Sequence, residues 1–218
     1  MAIAFDNSIS VNKTSATTHT QSFTVGTGEN RGIVVGVATF GGDSDFISSV
    51  TYNGVTLTDA GAKADEPLSG LSTQLFYLAN PASGANNIVV NMTTSKGVVI
   101  CASSYEGVHQ TEMLDGTGTL GANVTTNTVS VTTADDDSWL VGFWWINKAP
   151  TTIVSPATER ETATDSGEIV LGDKVTTTAG ALSIGCAGNS GGRTAGSAIG
   201  LAAGPPASST FVPTMQII

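Results

Sequence analysis

The segment 138-SWLVGFWWI-146 is apolar on both sides if it forms a β-strand. Successive side chains of a strand point to opposite faces of its sheet. The two sets are Trp139, Val141, Phe143 and Trp145 on one face, and Leu140, Gly142, Trp144 and Ile146 on the other. A sheet in a two-layer antiparallel protein needs only one apolar face. The second face must therefore be covered by a loop, by another layer or by another chain.

The segment 31-RGIVVGVATF-40 repeats this pattern, with Val35 and Val37 on one face and Val34 and Ala38 on the other. Burial of a large aromatic side chain stabilises a protein by roughly 2–3 kcal/mol, so a solvated Trp-rich face would be unfavourable and prone to association. The cover is predicted to come either from the same chain or from a partner subunit. The residues predicted to serve in packing or at an interface are Trp139, Phe143, Trp144, Trp145, Val35, Val37 and Tyr105.

The segment 49-SVTYNGVTLT-58 predicts a β-hairpin. Asn53-Gly54 lies between two alternating runs, and both central residues of a type I′ turn need a positive φ, which Asn and Gly tolerate. With that turn, Tyr52 opposes Val55 and Val50 opposes Leu57. An apolar set is thereby predicted on one face, with threonines on the other.

Similar strand-like runs continue along the whole chain and are separated by Gly-, Asn-, Pro- and Asp-rich turns. Charged residues make up only 12% of the sequence, and no segment carries a helical apolar stripe of three turns. Strands are predicted over residues 2–5, 19–25, 31–40, 47–52, 55–58, 71–79, 87–93, 97–105, 127–132, 138–146, 168–174, 181–187, 197–202 and 211–217.

A spacing of about ten residues per strand, with no interposed helices, predicts an all-β protein, an antiparallel β-sandwich that is jelly-roll-like. No linker divides the sequence, so residues 1–218 are predicted to form one domain. Residues 147–166 contain two prolines and a charged run, and they are predicted to be a long connection or an excursion at a sheet edge.

The net charge is −10 and the eight basic residues are scattered. Nucleic acids and anionic membrane surfaces require clusters of Lys and Arg, so neither is an expected partner. The first residues lack a basic and apolar leader, so we expect synthesis in a cytoplasm without a signal peptide.

No catalytic, cofactor-binding or metal-binding residue is predicted. His109 lies near Glu106, Glu112 and Asp115, but their spacing matches no recognised metal-ligand pattern, so a polar loop is the simpler interpretation. His19 is predicted to be a solvated polar residue at the start of a strand.

The other chemical signals in the sequence are also weak. The run 135–137 is three aspartates, which is typical of a charged turn and lacks the alternate spacing of a calcium loop. The run 188–192 is Gly-rich but is not a nucleophile elbow, since no helix follows it. Cys101 and Cys186 lie in apolar runs, which favours small buried thiols, with a disulfide as the alternative.

The order of several motifs resembles a β-sandwich module of bacteriophage structural proteins and bacterial surface proteins. The motifs are the hairpin 50–57, the run 74-QLFYLANP-81 with 84-GANNIVV-90, and 103-SSYEGV-108, and the resemblance covers roughly residues 31–146. It implies a jelly-roll-like or immunoglobulin-like sandwich used for assembly or attachment. It supplies no functional residue.

The sequence therefore favours a non-enzymatic virion structural protein. We expect a phage capsid decoration, head-fibre or tail-appendage subunit that forms a homo-oligomer and docks on other virion proteins. The alternative is a carbohydrate- or cell-surface-binding module in which Trp139 and Trp145 face solvent and stack on sugar rings. A third hypothesis is an adhesion domain stabilised by calcium at residues 135–137.

Overall fold

The computed structural model describes residues 1–41, 45–66, 70–120, 127–147, 152–153, 157–165, 167–187 and 193–205; the predicted strand 211–217 and the Gly-rich run 188–192 lie outside these residues. The described chain is all-β and antiparallel, as predicted, and contains no helix. Its strands are β1 (Ala4–Val25), β2 (Gly32–Phe40), β3 (Ile47–Tyr52), β4 (Val55–Thr56), β5 (Thr58–Glu66), β6 (Leu71–Ala79), β7 (Gly84–Glu106), β8 (Leu114–Leu120), β9 (Asn127–Thr133), β10 (Trp139–Ile146), β11 (Thr152–Ile153), β12 (Thr158–Thr164), β13 (Glu168–Val175), β14 (Gly180–Ala187) and β15 (Thr194–Leu201).

The first sheet is organised by two long strands, β1 and β7, which pair with each other from end to end. Register shifts on either side of Ala16 mark the place where the pair changes direction. Beyond β1, the N-terminal half of β7 pairs with β3, whereas its C-terminal half pairs with β2. One sheet therefore supplies two layers that face each other across a core.

This sheet is nearly closed and barrel-like. Its strand order is β4-β3-β7-β2-β6-β5, and a single residue, Leu57, separates the strands at the two ends of that path. On the opposite side, the two halves of β1 meet, because the Asn7 amide donates to the Thr24 carbonyl (2.9 Å) and the Gly26 N–H donates to the Asp6 carboxylate (2.7 Å).

The remaining strands form a five-stranded sheet, β12-β13-β10-β15-β8, and a three-stranded sheet, β11-β14-β9. We number four layers by the apolar clusters between them. The first layer contains β3, β4 and the N-terminal half of β7 with the C-terminal half of β1. The second contains β2, β5, β6 and the other halves of β1 and β7. The five-stranded sheet is the third layer, and the three-stranded sheet is the fourth.

Strands β2 and β10 are covered on both faces by the chain itself. Val35 and Val37 of β2 point into the cluster inside the first sheet, whereas Val34 points into the cluster between the second and third layers. Phe143 of β10 enters that same middle cluster, and Trp144 enters the cluster between the third and fourth layers. Of the covers considered from the sequence, another layer is the one observed.

Three glycines make room for the rings of Phe143 and Trp144 in β10. A Cβ atom on Gly36 would lie 2.7 Å from Cγ of Phe143, so the bare β2 backbone is what admits that ring. A Cβ atom would lie 2.0 Å from the Trp144 ring at Gly142 and 2.6 Å from it at Gly196. The Trp144 indole therefore lies flat against the backbone of its own sheet.

The predicted hairpin is confirmed except at one position. Asn53 and Gly54 have φ values of 50° and 76°, Tyr52 pairs with Val55, and the Leu57 N–H donates to the Val50 carbonyl at 2.8 Å. Val55, however, is 53% exposed. Strand β4 has only two residues, and the chain turns into the core at Leu57, two residues beyond Val55.

The sequence pattern missed β5, β8, β11 and β12. The apolar side chains that strand β5 buries are all alanines, so it lacks the large apolar side chains that indicate a strand. Strand β12 lies within residues 147–166, the segment predicted to be a long connection or an excursion at a sheet edge. It is the edge strand of the third layer. The backbone carbonyls of residues 160, 162 and 164, on the outer edge of β12, accept hydrogen bonds from the side chains of Ser8, Ser10 and Asn12 of β1. The two strands run in the same direction along this contact. The finer prediction of a jelly-roll-like sandwich stays a prediction.

We expect Gly36→Ala to lower the free energy of unfolding by about 1–3 kcal/mol, because the new methyl group overlaps the Phe143 ring. In a strand with ordinary φ, the same change would otherwise stabilise by roughly 0.5–1 kcal/mol. Urea unfolding measures the difference. The double variant Gly36→Ala/Phe143→Leu should cost less than the sum of its two parts. Additive losses would contradict the contact.

Candidate functional site

The residues predicted for packing or an interface lie mostly in the interior of this one chain. Val35 and Val37 are buried in the first sheet. Tyr105, Phe143 and Trp145 are buried between the second and third layers, and Trp144 is buried between the third and fourth. None of these six side chains needs a partner subunit to shield it from water.

Trp139 is the exception, since it is only half-buried. Its ring packs edge-to-face on Tyr105, with centroids 6.0 Å apart, at the margin of the middle cluster. Trp145 is 1% exposed. The sugar-stacking platform expected from Trp139 and Trp145 therefore does not form.

A charged network closes the side of the molecule where β12 and β13 meet β1 and β7. The Arg160 guanidinium donates to both carboxylate oxygens of Asp173, at 2.7 and 3.0 Å, and lies 3.8 Å above the ring of Phe5. The Tyr105 hydroxyl donates to the same carboxylate at 3.2 Å. Asp173 is 1% exposed, so this is a bidentate ion pair at the edge of the core.

Burial governs the pKa values in this network. Desolvation raises the pKa of Tyr105 well above its ordinary value, and the nearby Asp173 carboxylate raises it further. Desolvation also raises the pKa of Asp173, while the hydrogen bond and charge of Arg160 oppose that rise. The network lies where β12 and β13 meet β7, and its hydrogen bonds join these strands across the layers.

The two histidines are each used within the fold. His19 was predicted to be solvated, which is wrong: it is 3% exposed, and its Nε2 lies 3.0 Å from the Lys96 carbonyl oxygen. His109 accepts the Glu112 N–H at Nδ1, which fixes a tight polar turn. Asp115 does not join His109, because its carboxylate accepts hydrogen bonds from the Ala134 N–H and the Ser138 hydroxyl.

An open cleft of about 550 Å³ lies beside the aspartate run, between His109, Glu112, residues 135–137, the N-terminal residues and Pro205. The run has a structural role there, since Asp136 accepts the Ala179 N–H at 2.7 Å and Asp137 adopts a φ of 59°. Among the residues that the structure describes, no three His, Cys, Asp or Glu side chains are grouped as a metal ion would require. The calcium hypothesis gains no support from this geometry.

Cys101 and Cys186 are both free and buried, in different clusters. Burial raises the pKa of each thiol above its ordinary value, and nearby glutamates add to the rise. The two cysteines therefore act as small apolar side chains, which was the simpler interpretation of the sequence.

The most distinctive surface is the outer face of the first layer, which carries short uncharged side chains. We call this surface the outer threonine face. Its residues are Thr18, Thr20, Ser22 and Thr24 of β1, Asn87, Val89 and Asn91 of β7, and Ser49 and Thr51 of β3. Beside it lies an open groove of about 380 Å³, which is lined in part by Asn53, Asn86 and Asn87.

Neither the charged network nor the outer threonine face was identified from the sequence, although signals existed. Asp173 is a lone carboxylate within the apolar run 169-IVLGDKV-175, which indicates a paired buried charge. The segments 14–25, 46–58 and 80–95 contain no Asp, Glu, Lys or Arg. The structure assembles these three segments into the first layer.

No protein-family model and no curated protein sequence matches this chain. The resemblance to phage and bacterial surface modules stays a prediction. In the described ranges, no helix of the length and apolarity needed to cross a bilayer is present.

We expect Arg160→Met to destabilise the fold by about 3–5 kcal/mol at pH 7, because it leaves the buried Asp173 carboxylate without its cation. An acid with a raised folded-state pKa adds stability below its unfolded-state pKa and loses it as the pH rises through the folded-state value. Without Arg160 that pKa rises further. The penalty should therefore shrink as the pH falls, in urea unfolding at pH 7 and pH 5.

The matched control is Arg160→Met/Asp173→Leu, which removes both charges and should recover much of the lost stability. A loss for Arg160→Met that is equal at both pH values would contradict the assignment of Asp173 as the buried partner.

We expect both thiols to resist an aromatic disulfide reagent in the native protein at pH 8, since each is buried and its pKa is raised. In denaturant, two equivalents should react. Rapid modification of either thiol under native conditions would show that its cluster is open.

Proposed function

We propose that this protein is a non-enzymatic structural subunit of a virus particle, of the kind that decorates a phage capsid or forms a head fibre or tail appendage. It is made in the host cytoplasm, forms a homo-oligomer and docks on other virion proteins. The fold proposed for it is a jelly-roll-like sandwich, extended here by stacked layers.

One observation carries the proposal. Most ionisable groups with raised pKa values in the described residues are buried, whereas the first layer presents a broad surface of uncharged side chains. Four of the groups with raised pKa values are buried in cores and joints, namely Tyr105, Asp173 and the two cysteines. Lys63, whose pKa is also raised, is held in ion pairs with Asp45 and Asp65. A catalytic site usually places such perturbed groups in a cleft. A rigid body with a plain outer surface suits assembly and attachment.

Strands β2 and β10 are not the surfaces proposed for self-association. The doubly apolar strands β2 and β10 suggested that a partner subunit covers them, but the other layers of the same chain do so. The support now comes from the outer threonine face. Uncharged surface on a chain of net charge −10 is where a neighbouring subunit meets the least repulsion.

The groove beside the outer threonine face favours a second candidate function, which is binding of a neutral carbohydrate. Asn53 and Asn87 are among the residues that line that groove, and side-chain amides can donate to and accept from sugar hydroxyls. In this candidate, Asn87→Ala would abolish binding on a glycan array without loss of the fold. The stacking residues Trp139 and Trp145 have no part in it.

The proposed function is tested by mass spectrometry of particles purified from the source of this sequence. We expect the chain in the particles, at a fixed ratio to the major capsid protein. Mild dissociation should release it as a folded oligomer. Its presence in the cell lysate together with its absence from the purified particles would overturn the virion assignment.

A further inference from the structure

The tip of the β3–β4 hairpin, Asn53-Gly54, is the only Asn-Gly pair in the sequence. Both residues are exposed, and both have positive φ values. Every other Asn is followed by a residue with a side chain, which hinders approach to the amide carbon, and Pro81 after Asn80 also lacks a backbone N–H. The turn therefore combines an exposed side-chain amide with the least hindered backbone nitrogen beside it.

We propose that Asn53-Gly54 is a site of spontaneous covalent modification, at which the protein exchanges one amide for one carboxylate through a cyclic imide. The backbone nitrogen of Gly54 attacks Cγ of Asn53. The new C–N bond closes a five-membered ring, the Cγ–Nδ2 bond breaks, and Nδ2 leaves as ammonia with the proton of the Gly54 N–H. Water then opens the ring at either carbonyl, which yields an aspartyl or an isoaspartyl residue.

The two reacting groups are not engaged elsewhere. Within the described part of the chain, neither the side-chain amide of Asn53 nor the N–H of Gly54 forms a hydrogen bond. A Cβ atom on Gly54 would meet no atom within 4 Å, so the space around this residue is open. By contrast, the nearby Asn86 amide donates to the Ser83 carbonyl at 3.2 Å. The amide of Asn53 is therefore free to react.

The turn must open before the ring can close, because the backbone of Asn53 has to rotate out of its left-handed conformation to bring the Gly54 nitrogen to Cγ. Little holds the tip closed. Strand β4 has only two residues, and Val55 is 53% exposed. Exposed segments with few buried contacts open locally at a low free energy, so the reactive conformation is accessible in the folded protein.

The only Asp-Gly pair of the sequence, Asp115-Gly116, provides an internal comparison. An aspartyl residue can form the same imide by loss of water. Asp115, however, is buried, and its carboxylate accepts hydrogen bonds from the Ala134 N–H and the Ser138 hydroxyl. A Cβ atom on Gly116 would lie 2.2 Å from the Thr132 carbonyl oxygen, so the backbone there is tightly enclosed. We expect this pair to stay unmodified in the folded protein.

The modification changes the chemistry of the first layer. Residues 46–58, which include the hairpin, contain no Asp, Glu, Lys or Arg. Asn53 and Gly54 both line the open groove of about 380 Å³ beside the outer threonine face. The product replaces an amide, which donates and accepts hydrogen bonds, by a carboxylate, which only accepts them. The groove therefore becomes anionic, whether or not the proposed function holds.

The base of the hairpin is anchored independently of its tip. The Tyr52 hydroxyl lies 3.2 Å from the Phe23 carbonyl oxygen and 3.0 Å from that of Gly84. The Leu57 N–H donates to the Val50 carbonyl at 2.8 Å. The isoaspartyl form lengthens the backbone by one methylene at the exposed turn alone, so we expect the modified protein to remain folded.

Incubation of the full chain at pH 8, followed by digestion with trypsin and mass spectrometry, tests the inference. Cleavage after Arg31 and Lys63 releases the peptide 32–63, in which Asn53 is the single Asn. We expect this peptide to gain the mass of one amide-to-acid conversion and to become a substrate of an isoaspartyl methyltransferase. Conversion should be roughly tenfold slower than in an isolated peptide of residues 47–58, since the folded turn has to open first.

The matched variant is Asn53→Gly, because a Gly-Gly pair also forms a type I′ turn and has no amide to lose. On anion exchange the wild type should accumulate a more acidic species, and the folded variant should not. Circular dichroism verifies the fold of both. The inference is overturned if the native peptide 32–63 keeps its mass while the isolated peptide 47–58 is fully converted. It is also overturned if the variant accumulates the acidic species, or if other Asn-containing peptides are converted as fast as 32–63.

Discussion

The structure depends on one constraint. Strands β2 and β10 are apolar on both faces, so water must be excluded from four strand faces in all. Each strand lies at the centre of its layer, so it is covered above and below by other layers. Two such strands in neighbouring layers require a first and a fourth layer to complete the cover. The stack of four layers is thus a direct consequence of where the large apolar side chains lie along these two strands.

The same constraint determines what remains for the outside. Because the large aromatic residues of β10 are used in the interior, the outer layers contain strands with one buried apolar face and one face of Ser, Thr and Asn. The charged residues of the described strands lie in the inner layers, where Arg160 and Asp173 also close the joint between β13 and β7. The result is a rigid body whose broad first-layer surface carries hydroxyls and amides and no charge.

Local patterns predicted the secondary structure well where a single segment contained all the information. Asn53-Gly54 determines its own turn, and the alternation in β10 marks both faces as buried. The identity of the cover could not be predicted, because periodicity shows that a face is buried but not what buries it. Strand β5 was missed because its buried apolar side chains are all alanines, and β12 because it buries no large apolar side chain and is held by pairing with β13 and by hydrogen bonds from β1. The burial of His19 was detectable, since it shares its face with Phe23 and Val25.

The central claim is that one chain alone covers both faces of β2 and β10. Hydrogen exchange with mass spectrometry, on the protein at a concentration where it is monomeric, tests this most directly. The account predicts that the peptides spanning residues 32–40 and 139–146 exchange most slowly of all, and that their protection does not change with protein concentration. Rapid exchange of these two strands in the dilute protein, with protection that appears only on association, would contradict it.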